Sequence, residues 1–155
     1  MNVLFVHNNF PAQFRHVVSA LARDPNIRVA AVGSGNSRSV DNVRLLKYDL
    51  SNVDVSMTHP FARRFDLECY RAEEVLYLLS TLSSSGFVPD VILAHPGWGE
   101  TLPLRTIFPH ARIGGTVNSS LTLRPRAWLC ANRTWWASDG CRPQIRQGCL
   151  AMYRT

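Results

Sequence analysis

The chain has 155 residues, 46% of them hydrophobic and 18% charged, the balance of a globular domain large enough to bury a core. It contains no run of 18 apolar residues, and the opening Met1-Asn2-Val3-Leu4-Phe5-Val6 lacks the basic lead and the length of a secretory signal. These features exclude a membrane span and point to a cytoplasmic protein.

Val3–Val6 is a continuous apolar run, the pattern of a strand buried on both faces. The polar turn His7-Asn8-Asn9-Phe10-Pro11 follows. Phe14, Val17, Val18 and Leu21 then recur at helical spacing, predicting an amphipathic helix to about Arg23 that Asp24-Pro25-Asn26 stops. Ile27–Val32 reads as a second strand, Gly33–Ser37 as a loop and Val43–Leu46 as a third strand. After a polar connection from Asp49 to Pro60, the stripe Phe61, Phe65, Cys69, Ala72, Leu76, Leu79 predicts a long helix over 61–84, with Cys69 in its core face. Gly86 is placed to cap it. Val91–Ala94 is a fourth strand, His95-Pro96-Gly97-Trp98-Gly99-Glu100 a second polar turn, Leu102–Phe108 a short helix, and Ala111-Arg112-Ile113 the start of a fifth strand.

Strands alternating with helices predict an α/β fold, a Rossmann-like parallel sheet with helices on both faces. In such sheets ligands bind beyond the carboxyl ends of the strands, where the strand order reverses. If the first and fourth strands are neighbours, His7-Asn8-Asn9 and the His95–Glu100 turn flank one crevice.

The periodic pattern stops at about Ile113. Residues 1–111 balance ten Arg and Lys against ten Asp and Glu, whereas 112–155 hold seven Arg against Asp139 alone, so the net charge of +6 belongs to the tail. The division is therefore 1–113, a Rossmann-like domain, and 114–155, an atypical basic tail of irregular pattern. Its Arg and Trp residues (Trp128, Trp135, Trp136) lack the scaffold of a nucleic-acid site, and no nucleic-acid partner is expected. Cys130, Cys141 and Cys149 form no CxxC pair, so no metal site is read from them.

Each polar turn admits two readings. His7, Asn8 and Asn9 either shape the turn and cap the following helix, or present a ring, two amides and backbone N–H groups to an anionic or hydroxyl-rich ligand. In the second turn, Gly97 and Gly99 allow close backbone approach, Trp98 offers a flat stacking face, Glu100 orients hydroxyls and His95 exchanges a proton. The alternative there is a tight turn with a packed Trp and a Glu at a helix start. His59-Pro60 reads as loop and helix entry, and Gly33-Ser34-Gly35 as a flexible turn rather than a phosphate loop. No GxGxxG fingerprint is present.

The segments Asn2–His16 (NVLFVHNNFPAQFRH) and Gly86–Leu102 (GFVPDVILAHPGWGETL) resemble the two signatures of a bacterial group of family 4 glycosyltransferases. The Val43–Tyr48 strand and His59-Pro60 also sit where that group has them. The resemblance covers about 113 residues. It implies the N-terminal, acceptor-side half of a GT-B fold and no resident cofactor or metal. The full-length family takes a nucleotide-sugar donor in a second domain. By resemblance His7, Asn8 and Asn9 line the acceptor side, and His95, Gly97, Trp98, Gly99 and Glu100 face the reacting sugar, with His95 the catalytic contact. The partners implied are a sugar-bearing acceptor and a separate donor domain.

The resemblance fades after Ile113. A surplus of Arg, Trp and Cys, with sixteen Arg to one Lys overall, is what a shifted frame in a GC-rich gene produces. The expectation is a truncated gene with its last 40 or so residues out of frame, and a chain inactive alone. The alternative is a non-catalytic module binding a sugar, a nucleotide or a protein. A receiver-type regulator fits poorly, because strands one and four end in His rather than in acidic residues.

Overall fold

The computed structural model describes residues 1–117 and 120–123. Among them lies one six-stranded sheet of order β3-β2-β1-β4-β5-β6. Strands β1 (Asn2–Val6), β2 (Arg28–Ser34), β3 (Val43–Tyr48), β4 (Val91–Ala94) and β5 (Arg112–Val117) run parallel, and β6 (Ser120–Leu123) returns antiparallel to β5. This is the Rossmann-like arrangement expected.

Side-chain alternation along the strands explains why both faces are covered. Leu4, Val6, Ala30, Val32, Ile92 and Ala94 point to one face, where they meet Val75, Leu79 and Leu82 of helix α2 (Arg63–Ser84) and Leu104 of α3 (Leu104–Ile107). Val3, Phe5, Val29, Ala31 and Leu93 point to the other, against Phe10, Phe14 and Val18. Phe14 closes a 3-10 turn, Ala12–Phe14, and Val18 lies in the helix it leads into, α1 (Arg15–Leu21). A strand buried on both sides needs the unbroken apolar run that β1 and β4 carry.

Three features depart from the sequence reading. First, α2 is helical where expected but rotated. Phe61 is 94% and Phe65 67% exposed, and Cys69 is exposed rather than in the core. The inward line is Leu67, Arg71, Val75, Leu79, Leu82, also at helical spacing. The period of an apolar pattern gives a helix's repeat, and the facing surface sets its phase. Here the C-terminal half supplies the apolar anchor, roughly 1.5–3 kcal/mol for each fully buried aliphatic side chain. The N-terminal half lies over a polar region and presents Arg71 to it.

Second, the sheet continues past Ile113. Gly114 and Gly115 pair with Leu93 and Ala94 as the buried middle of β5, and β6 follows, so the compact unit runs Met1–Leu123. Two glycines carry no apolar pattern, which is why the sequence trace fades there. Third, Asn8 and Asn9 do not cap a helix. The 3-10 turn intervenes, and α1 begins at Arg15 without a side-chain cap. Cys130, Cys141, Cys149, Trp128, Trp135 and Trp136, and the reading of the tail they belong to, lie outside the described residues.

Candidate functional site

The chain lays β1, β2 and β3 outward in one direction, then returns to place β4 on the other side of β1. The reversal therefore falls between β1 and β4, and each of these strands is followed at once by a histidine. Their parallel register sets Val6 beside Ala94. His7 and His95 are thereby held side by side, ring centroids 5.3 Å apart and edge to face.

His7 is buried at 9% exposure. Its Nδ1 accepts the Asn9 N–H at 2.9 Å, so the neutral ring carries its proton on Nε2. Burial, reinforced by the neighbouring His95 and opposed by a hydrogen bond with Gln13, pulls the His7 pKa below the usual imidazole range. His7 is thus neutral at physiological pH. His95 is half-buried, and its Nδ1 is enclosed with no hydrogen-bond partner among the described residues. The enclosed nitrogen faces protein and not solvent, so the part of the ring that a ligand can reach is its exposed side.

The backbone around His7 is tightly held. The Asn8 carbonyl accepts from Ser34 N–H at 2.9 Å and from Ser37 Oγ at 3.2 Å. Gly33 makes this possible, because a Cβ there would overlap the Ser37 hydroxyl and come within 2.8 Å of the His7 carbonyl oxygen. Asn8 is left half-buried at the crevice and Asn9 exposed at its rim.

The second turn packs beneath α2. Gly99 lies under the backbone of Glu68 with φ +92°. The Trp98 carbonyl accepts from the Arg71 guanidinium, while its ring stays 41% exposed with the Arg64 guanidinium 5.9 Å over its face. Gly97 is exposed beside His95. The turn therefore presents His95, Gly97 and the Trp98 ring outward and turns Glu100 inward.

Glu100 is 1% exposed. Its Oε1 accepts the Tyr48 hydroxyl at 2.7 Å and stands 3.9 Å from Arg71 Nε, while its Oε2 is enclosed without a hydrogen-bond partner among the described residues. Burial raises the Glu100 pKa above the carboxylate range, against the Tyr48 hydrogen bond and the nearby positive groups. The Tyr48 phenol is pushed far up by burial and by the Glu100 charge, and stays protonated as the donor. Glu100 meets solvent nowhere, so it holds Tyr48 and Arg71 in place rather than touching a dissolved ligand itself.

The sequence reading gave no role to Tyr48, Arg71 or the Ser34–Asn36 loop, which line a polar cavity of about 220 Å³ beside Asn8. The available signal was Arg71, a charge on the inward line of α2 four residues from both Leu67 and Val75. A larger depression of about 570 Å³ lies at the opposite, amino ends of the strands, among Val88, Asp90, Phe108 and Arg112, away from every group named above. Among the described residues no three His, Cys, Asp or Glu side chains are gathered to hold a metal ion, and no helix is long and apolar enough to cross a membrane.

Fold and crevice are those of a Rossmann-like α/β domain with its polar groups collected at the switch point, where ligands of this class sit. Residues 25–116 match the glycosyl transferase family 4 group, and the chain belongs to that group. The matched stretch runs from just before β2 through most of β5 and includes the His95–Glu100 turn. No curated protein matches the chain.

Proposed function

We propose that this domain binds the sugar-bearing acceptor of a glycosyl transfer in the crevice between the ends of β1 and β4. The observation that carries the proposal is the His7–His95 pair, set edge to face at the switch point. Asn8 and Asn9 supply amides on one side, and Gly97 and the exposed Trp98 ring supply a close backbone and a stacking face on the other.

In the transfer itself the bond between the donor's anomeric carbon and its diphosphate breaks. The electron pair leaves with the diphosphate, an acceptor hydroxyl bonds to the carbon, and the hydroxyl proton passes to the departing diphosphate oxygen. His95 is the catalytic contact in this proposal, a polar group beside the reacting centre. Donor and acceptor must be held together for the step, so a nucleotide-sugar donor has to be presented by a second unit facing this crevice. This domain alone then binds without turning over.

The test is saturation-transfer NMR of the full chain with methyl pyranosides of glucose, galactose and mannose. Binding that His95→Ala and Trp98→Ala each remove supports the proposal. A chain that binds no pyranoside, or binds one unchanged in both variants, refutes it. A non-catalytic binding module is the second reading, favoured by the burial of Glu100, which keeps the carboxyl group of that turn away from a dissolved ligand. Sugar binding with no transfer, even when a family donor domain and a donor panel are added, would decide for it.

A further inference from the structure

We infer that the crevice continues sideways into a second sugar subsite, between the ends of β2 and β3 and the inward face of α2, so that the acceptor carries at least two sugar units. The inference rests on the acceptor reading above and specifies its substrate.

The cavity of about 220 Å³ beside Asn8 is walled by Ser34 and Asn36 from the end of β2, Tyr48 and Asp49 from the end of β3, and Arg71 from α2. Two of its lining residues, Asn8 and Arg71, tie it to the turns after β1 and β4. Asn8 follows His7 directly, and Arg71 donates to the Trp98 carbonyl. Strands lie about 4.8 Å apart, and three spacings separate β4 from β3, so the polar strip from His95 to Asp49 extends roughly 14 Å. A single sugar ring does not fill such a length.

Size and charge select the occupant. A volume of about 220 Å³ lies below the roughly 300 Å³ at which pockets for drug-sized ligands begin, a size that suits one ring. Arg71 brings the positive charge, but Glu100 stands 3.9 Å from its Nε and Asp49 is on the cavity wall. Local hydrogen bonds from Ser51 depress the Asp49 pKa and keep it ionised. An anion would meet that carboxylate. A neutral ring instead finds what its hydroxyls need, amide and hydroxyl groups that both donate and accept, with a carboxylate and a guanidinium at the two sides.

The cavity is also built in advance. Ser37, 3% exposed, and Ser34 tie the β2–β3 loop to the Asn8 carbonyl, and Lys47 Nζ donates to the Gly35 carbonyl at 3.2 Å. Tyr48 is fixed by Glu100 at 2.7 Å. At the edge of the cavity, Arg71 Nε is enclosed and makes no hydrogen bond among the described residues.

The experiment compares the methyl pyranosides of glucose, galactose and mannose with their 1,4-linked disaccharides, and with inorganic phosphate, on the full chain by ligand-observed NMR. Asn36→Leu alters the exposed loop wall of the second subsite and leaves the core untouched. The best disaccharide should bind about tenfold more tightly than its monosaccharide. Asn36→Leu should abolish that gain while monosaccharide binding persists, and phosphate should not compete. Equal affinities, a gain that survives Asn36→Leu, or displacement by phosphate would overturn the inference. Monosaccharide binding that His95→Ala removes, without any disaccharide gain, sinks the second subsite and leaves the acceptor reading standing. Failure of every sugar sinks both.

Discussion

Adding one methyl group at Gly99 tests the packing that builds the site. A Cβ there would overlap the Glu68 carbonyl oxygen and lie 2.9 Å from its carbon and 3.0 Å from its Cα. All three atoms are helix backbone, which does not swing aside as a side-chain tip does. The residue also sits at φ +92°, which an L side chain rarely adopts. The conformational part costs roughly 1–2 kcal/mol. Forcing α2 off the turn adds the cost of overpacking, about 1–3 kcal/mol. Gly99→Ala should therefore lose roughly 2–5 kcal/mol, a large share of the 5–15 kcal/mol that domains of this size have in hand. Urea unfolding followed by circular dichroism reads this as a midpoint lower by about 1–2.5 M at an m-value of about 2 kcal/mol/M. Gly35→Ala is the control. No atom lies within 4 Å of its Cβ position, and its φ is outside the left-handed region. It should be neutral, or more stable by about 0.4–1 kcal/mol through the unfolded chain. A Gly99→Ala protein as stable as Gly35→Ala would mean that α2 does not rest on this turn, and the placement of Arg71 would fall with it.

Glu100 holds its proton to higher pH when folded than when unfolded, since burial raises its pKa. Its contribution is complete below the unfolded value of about 4.3 and declines as pH rises through the folded one. Glu100→Gln should flatten that fall above the unfolded value in urea midpoints; an unchanged slope would deny the burial. His7 has the opposite sign, its pKa being lowered, so its share of stability is present above about 6.5 and lost on acidification. Nitrogen NMR should find it neutral with the proton on Nε2 at pH 7, and a Nδ1–H form would contradict the Asn9 contact. On α2, Leu79→Ala should cost about 2–5 kcal/mol, while Phe65→Ser, at 67% exposure, should stay within about 0.5 kcal/mol. Comparable losses would show that the helix packs through its other face.

Strand order was legible only through composition. Val3–Val6 and Val91–Ala94 are unbroken apolar runs because both faces of β1 and β4 are covered, and two such runs ending in His and a polar turn suggest neighbouring central strands. The helix period of α2 was equally clear, but two lines share that period, and only contact with the sheet selects the line through Val75 over the line through Phe65. Gly114 and Gly115 hide how far β5 runs beyond Ile113, because they contribute backbone pairing without side chains. In the site, His7, His95 and Trp98 announce themselves by type at strand ends. Tyr48 and Arg71 do not, since what matters about them is a meeting across chain separations of 52 and 29 residues with Glu100.

That meeting poses an energetic question with a functional answer. A buried carboxylate with one oxygen unpartnered is costly, and well-packed apolar replacements for buried ion pairs are often neutral or stabilising. Stability alone therefore gives little reason for a Glu at position 100. Its geometry gives a better one. Glu100 leads out of the turn that carries His95 and Trp98, yet it grips Tyr48 at the end of β3 and faces Arg71 on α2. Those two side chains wall the cavity beside Asn8. One residue thus sets the distance between the histidine pair and the second polar chamber, and fixes both against the helix that covers them. If that is its role, Glu100→Gln, which keeps the oxygen that accepts from Tyr48, should preserve sugar binding. Glu100→Leu should retain the fold, judged by its urea midpoint, and lose the disaccharide advantage. A Glu100→Leu protein that kept the advantage would show that Tyr48 and Arg71 stand without it.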